Sequence, residues 1–177
     1  MNVRITALAS IVCAGAIVAA QAPAQVTKES VPGIVNFAKV ETTVACAGAT
    51  TPAALAEVKR MGYASVINLR QASEPGAEIE ASAAAAKAAG LNYIHIPFNT
   101  ASPDAAVVDT FIKAVTDKAN QPAFIHCASA NRAAALWMVK RIAVDKWDVE
   151  RASTEAAALG LTSPALKAFA IEQAQKR

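Results

Sequence analysis

At 177 residues with a formal net charge of only +3, the chain is long enough for one hydrophobic core and too weakly basic for nucleic-acid binding. Its two histidines and three cysteines are scattered singly, which excludes zinc-site spacing, and neither a metal nor another cofactor is expected.

The chain opens as an export signal over residues 1–24. Arg4 supplies a positive start, Ile5 to Ala20 is an apolar run without charge, and Ala22-Pro23-Ala24 is a small-residue cleavage site. Cleavage after Ala24 predicts a periplasmic or secreted protein with no stable membrane insertion, an uncleaved anchor being the alternative. The apolar run is short for a transmembrane span. Cys13 lies within it, so the mature chain keeps only Cys46 and Cys127, and export predicts an oxidising compartment hostile to unpaired thiols.

Residues 25–34 are polar and broken by Pro32 and Gly33, which predicts a flexible arm ahead of a single domain over 35–177. Val35 to Val40 and Thr42 to Cys46 lean to strand. Thr51 followed by Pro52 predicts a helix start, and Gly62 its stop. Ala64 to Leu69 is a mostly apolar strand, Pro75-Gly76 a turn, Glu78 to Ala89 an Ala-rich helix, and Leu91 to Phe98 another strand. Ser102-Pro103-Asp104 opens a helix to about Ala119. A strand from Pro122, a helix from Arg132 to about Val144, and two closing helices from Asp148 and Ser163-Pro164 complete the order. Alternating strands and helices predict an α/β fold: a central, mostly parallel sheet with helices on both faces.

One stretch carries chemistry. In Phe124-Ile125-His126-Cys127-Ala128-Ser129-Ala130-Asn131-Arg132 an apolar strand meets a loop of small residues and then a helix. That places Cys127 below backbone N–H groups at a helix N-terminus, where an anion binds and a thiolate is favoured. Arg132 adds a planar fork of donors suited to a tetrahedral oxyanion. Cys127 is therefore the expected nucleophile, with Arg132 and the loop amides of Ala128, Ser129, Ala130 and Asn131 binding the oxyanion. The alternative is a buried structural cysteine followed by a surface arginine. The loop holds no glycine, so Asn131 is the residue expected to supply any positive φ. Ser129 either bonds the thiolate or leaving group, or satisfies the loop backbone. On a strand, His126 points to the face opposite Cys127 and is no direct base.

His-Cys-(four residues)-Arg after an apolar strand resembles the phosphate-binding loop of protein tyrosine phosphatase-like enzymes. In particular it resembles the phosphatase-like domain of beta-lactamase hydrolase-like proteins. Val66-Ile67-Asn68-Leu69-Arg70, Tyr93-Ile94-His95-Ile96-Pro97-Phe98, His126 to Arg132 and Leu136-Trp137 carry the resemblance in order. It implies a cysteine phosphatase fold and phosphomonoester hydrolysis through a phosphocysteine, on a small oxyanion or phosphorylated substrate. It also implies that His126 holds the loop backbone, and that Arg70 and Glu74 shape the substrate entrance, a surface ion pair being the alternative. Typical tyrosine phosphatases have five residues between cysteine and arginine. The four found here are similar to the loop of rhodanese-type sulfurtransferases, so sulfur transfer through a Cys127 persulfide stays open, as does a silent oxyanion-binding module. Related phosphatases carry their general acid after the strand that here ends at Phe98. This chain has Asn99 there, and the nearest acid, Asp104, is either that acid or a helix-start residue. Cys46 is either a redox partner for Cys127 or a small buried residue.

Overall fold

Short apolar runs buried on both sides need a helix layer above and below, and three strands of this chain are of that kind. The computed structural model describes residues 26–177. Its strands are β1 (Val26–Lys28), β2 (Ala38–Val40), β3 (Val44–Ala47), β4 (Ser65–Asn68), β5 (Asn92–His95) and β6 (Ala123–His126). They form one sheet in the order β1-β2-β3-β6-β4-β5. The β3-β6-β4-β5 block is parallel, whereas β1 and β2 add an antiparallel edge.

The register is what positions the site. Ala47 of β3 and Asn68 of β4 both pair with His126 of β6, and Asn68 pairs in turn with His95 of β5. Four strands thus finish level, and the loop that follows His126 leaves the sheet at the centre of their carboxyl rim, where ligands of parallel sheets bind.

Helices α1 (Leu55–Arg60) and α2 (Ile79–Ala88) cover one face. The other carries α3 (Ala105–Thr116), α4 (Asn131–Ala143), α5 (Val149–Leu159) and α6 (Pro164–Gln175). Alternation along β6 sends Phe124 to the α1/α2 side, where it stacks with Phe37 and tilts against Tyr63. Ile125 and Cys127 go to the other side, with Cys46 beside them. The small alanines of α4 let that helix sit in the core, buried over most of its circumference, against α5 and α6. A polar knot closes this side. Arg141, 4 % exposed in its side chain, donates to both Glu155 oxygens, to Asp145 and to Glu41, and stacks between Trp137 and Trp147. The Trp137 indole N–H also donates to Glu155, at 2.6 Å.

Two expectations are corrected. The segment expected as an unstructured arm is built into the fold: β1 pairs with β2, and Val31 and Ile34 bridge. Pro32 and Gly33 do not end structure there but form a turn, in which Gly33 takes φ +77° and a side chain would strike Thr51. The third predicted helix is capped by Asp104, whose carboxylate accepts from the Ala106 amide at 2.8 Å, not by Ser102. The predicted signal at 1–24 lies outside the described residues. Among those described, no helix is long and apolar enough to cross a membrane.

Candidate active site

Cys127 follows β6 directly. Its amide donates to Ala47 of β3 at 3.2 Å, and only 1 % of the residue is exposed. The loop above it is held from the neighbouring strand end, where the Ala49 amide donates to Ala128 O at 2.9 Å and Gly48 bridges Ser129. Gly48 eases this close approach, since a Cβ there would press on Ala128 O and Val35 O at 3.1 Å. Asn36 reaches Ser129 O from the other side.

The turn into α4 is made by Ala130, at φ +77°. This corrects the expectation that Asn131 would take the positive φ. Asn131 is already helical, and its side chain is a strut to the α5–α6 connection. Its Oδ1 accepts from the amides of Thr162 (2.8 Å) and Ser163 (2.9 Å), while its Nδ2 donates to Thr162 Oγ1 and Ser129 Oγ. Ser129 itself is exposed at the loop tip.

Helices α3, α5 and α6 each have an N-cap side chain accepting from the first turn, from Asp104, Asp148 and Ser163 respectively. At α4 the N-cap is Ala130, which has no acceptor to offer. The first helical amides therefore stay available at the N-terminus of a thirteen-residue helix, above Cys127. An anion fits that position.

Arg132 is 7 % exposed, and its guanidinium is fixed by four hydrogen bonds to three groups. Nη1 donates to Leu69 O (3.2 Å), Phe98 O (3.0 Å) and Glu74 Oε1 (2.5 Å), and Nη2 to Glu74 Oε2 (2.7 Å). Burial works against its charge, but the Glu74 carboxylate and the nearby Cys127 more than offset it, so the group is held above its usual range. Hydrogen bonds from Arg132 likewise hold the Glu74 carboxyl down at about 2, against the opposing effect of burial and with help from the Gln71 amide and Arg70. This contact spans 58 residues of sequence, and reading the chain alone paired Glu74 only with Arg70. A glutamate six residues beyond the end of a rim strand is the one signal that was available.

Arg70 does not face the cleft. Its guanidinium donates to Pro75 O and Gly76 O, both at 2.6 Å, and to Glu74, so it shapes the turn that carries Glu74. With a side chain 7 % exposed, the Arg70–Glu74 pair is not a surface pair. His95 Nε2 sits 2.8 Å from Arg70 O and Asn68 accepts from the Arg70 amide, which braces the same turn from β4 and β5.

His126 lies on the face opposite Cys127, stacked on Phe124, and neither of its ring nitrogens has a hydrogen-bond partner. Burial first, then the charges of Arg70 and Arg132, push it down to about 3, so it is neutral near pH 7. The Cys127 backbone acts in the opposite sense, favouring the charged ring, and is the trace of the expected contact from the ring to the loop. Cys46 and Cys127 are both free thiols. Cys46 lies level with Ile125 on the same face as Cys127, fully buried, and burial followed by the neighbouring Cys127 pushes its thiol far up. Asp104 is exposed and engaged as the α3 cap, while its neighbour Pro103 lines the cleft.

That cleft has a volume of about 600 Å³ and is bounded by Arg132, Glu74, Gln71, Thr100 and Ser163. A buried cysteine under an uncapped helix N-terminus, with a clamped arginine one helical turn on, defines the class of tyrosine-phosphatase-like proteins. The chain belongs to the family described as beta-lactamase hydrolase-like protein, phosphatase-like domain, whose model matches residues 36–144. Among solved structures it is similar to P. aeruginosa TpbA, at 18 % identity and TM-score 0.65 over 88 % of this chain and 91 % of that one. A variant of TpbA has been solved in complex with phosphotyrosine. The DUF442 protein of Shewanella putrefaciens CN-32 matches at 21 % identity and TM-score 0.66, over 81 % of this chain and 92 % of the other. The core catalytic domain of the PP-IP phosphatase SIW14 from S. cerevisiae, in complex with citrate, matches at 16 % identity and TM-score 0.66, over 80 % and 87 %. A comparison with curated proteins finds no match.

Proposed function

We propose that this protein is an exported cysteine-dependent phosphatase that hydrolyses a phosphomonoester through a Cys127 phosphocysteine. One observation carries the reading: Cys127 lies beneath the uncapped start of α4, and Arg132 is held in place there by Glu74 and two carbonyls. The thiolate attacks phosphorus, the P–O bond to the leaving group breaks, and water then releases phosphate and returns the thiolate. Arg132 and the loop amides of residues 128–131 stabilise the equatorial oxygens as their charge develops. Export and cleavage after Ala24 rest on the apolar pattern of the first 24 residues.

Among the described residues Glu74 is ionised and bound to Arg132 and Asp104 is engaged as the α3 cap, so neither is free as it stands to protonate the leaving oxygen. Turnover is therefore expected mainly with acidic leaving groups, with a general-acid deficit of about 10² to 10⁴ on alkyl esters. The test is hydrolysis of para-nitrophenyl phosphate beside an alkyl phosphate, by wild type, Cys127→Ser and Arg132→Ala. Activity on the aryl ester that vanishes in the first variant and falls steeply in the second supports the reading. Activity that survives Cys127→Ser overturns it.

The four-residue spacing keeps sulfur transfer as a second reading, because that chemistry needs the thiolate and the anion cradle but no proton donor. A gain of one sulfur on Cys127 after incubation with thiosulfate, with no nitrophenol released from the aryl ester, would replace the phosphatase reading.

A further inference from the structure

Ser129 and Asn131 form a ridge with a cavity on each side. The cleft holding Arg132 is one. The other, of about 700 Å³, lies between the N-terminal segment and the α5–α6 connection, and no step proposed above uses it. Ile34, Phe37 and Leu159 lie behind its floor, nearly closed off by their own packing at 7 %, 1 % and 1 % exposed. Its charged walls are Lys28 and Glu29, and Glu29 is neutralised by Lys39 at 2.8 Å. The Lys28 ammonium has no acceptor among the described residues, so the cavity carries one uncompensated positive charge. It is also preformed: β1 pairing sets Lys28, Asn36 is tied to the Cys127 loop through Ser129 O, and Asn131 fixes the Thr162 wall.

In-line attack by Cys127 requires the leaving oxygen to point away from the sulfur and out of the loop, which Ser129 and Asn131 border. Arg132 and its polar neighbours occupy one side. The second cavity lies on the other.

We propose that this second cavity is the leaving-group subsite, and that it selects phosphomonoesters whose leaving group carries a second anion, held by Lys28. The inference rests on the phosphatase reading for its chemistry, but its binding part can be tested apart from turnover. The probes are the phosphate ester of hydroxyphenylpropionate and that of its primary amide, whose phenols are similarly acidic because the side-chain charge lies two methylenes from the ring. Wild type is expected to favour the carboxylate ester by about three- to fivefold in kcat/KM, the worth of one partly exposed ion pair, with the preference shrinking as salt rises. In Lys28→Gln the ratio should fall to about one, and in Lys28→Glu it should invert. Both changes are at an exposed side chain, so folding is not at stake. A wild-type ratio of one, or a preference kept by Lys28→Gln, overturns the subsite. If neither ester is turned over, the phosphatase reading fails by itself and the same pair is titrated calorimetrically. A Lys28-dependent ratio of dissociation constants still supports the subsite, whereas equal or absent binding overturns it.

Discussion

Replacing Glu74 by glutamine removes one charge and almost no volume, and the structure says what that charge does. Both carboxylate oxygens accept from Arg132, Oε1 also from the Gln71 amide at 2.8 Å, and Oε2 from Arg70. The carboxyl falls from an ordinary 4.5 to about 2. At about 1.4 kcal/mol per pH unit, that displacement corresponds to about 3 kcal/mol of preference for the ionised form in the folded state. Breaking a fully buried ion pair costs about 3–5 kcal/mol. Because the Glu74 side chain is 19 % exposed, Glu74→Gln should cost about 2–3 kcal/mol at pH 7. The amide must also point an N–H at one guanidinium. The sign of the pH dependence follows from a depressed folded-state value. Above about 4.5 the clamp contributes in full, and it is lost as pH falls from there toward about 2. Urea midpoints of wild type and Glu74→Gln measured across that range should differ most at neutral pH and converge at the acid end. With Arg132 no longer held, kcat/KM for para-nitrophenyl phosphate should drop about 10- to 100-fold, the scale set by an ångström of misplacement. A variant with unchanged midpoint and unchanged kinetics at pH 7 would refute the claim that Glu74 positions Arg132.

Three further outcomes follow from the geometry. His126 is buried neutral with its folded-state value at about 3, below the ordinary 6.5, so the unfolded chain binds the extra proton between those values. Stability should decline by about 1.4 kcal/mol per pH unit as pH falls through that window, and His126→Phe should flatten this part of the acid limb in urea titrations. At the end of α5, a Cβ on Gly160 would lie 3.1 Å from the Ala130 methyl, at φ +112°. Gly160→Ala should therefore cost about 1–3 kcal/mol in thermal or chemical melts, and adding Ala130→Gly should recover about 0.5–1.5 of it, the coupling between two touching sites. Removing Glu155 as alanine leaves the buried Arg141 charge and the Trp137 N–H without their main acceptor, at a cost of about 3–5 kcal/mol read from the urea midpoint.

Sequence order sufficed for the layered fold because each element is announced locally. Asp148 and Ser163-Pro164 open α5 and α6 where cap chemistry places them, and β3, β4 and β6 are short apolar runs bounded by turn residues. The pairing of β1 was invisible because three residues reading Val-Thr-Lys acquire strand character only from a partner ten or more positions away. The Cys127 loop was legible as an anion cradle, yet its hinge was misplaced. Propensity favours Asn over Ala at positive φ, but Asn131 is needed as a strut to Thr162 and Ser163, and the turn falls to Ala130. The Arg132 clamp was hidden for the same kind of reason. Its acceptors, Leu69 O, Glu74 and Phe98 O, come from two loops that are remote in sequence and meet only because β4 and β5 stop level with β6.

The strut from Asn131 to the α5–α6 connection bears on where this protein can be cut. The stretch recognisable as a phosphatase-like domain ends at residue 144 and begins at 36. Yet Thr162 and Ser163 anchor the first residue of α4, Glu155 anchors Arg141, Phe169 packs on Phe98, and β1 supplies a cavity wall. An excised 36–144 fragment would keep Cys127, Arg132 and Glu74 while losing Lys28 and the supports that hold the site in register. The heritable signature and the cooperative folding unit have different borders here, and a transplant or truncation should follow the second.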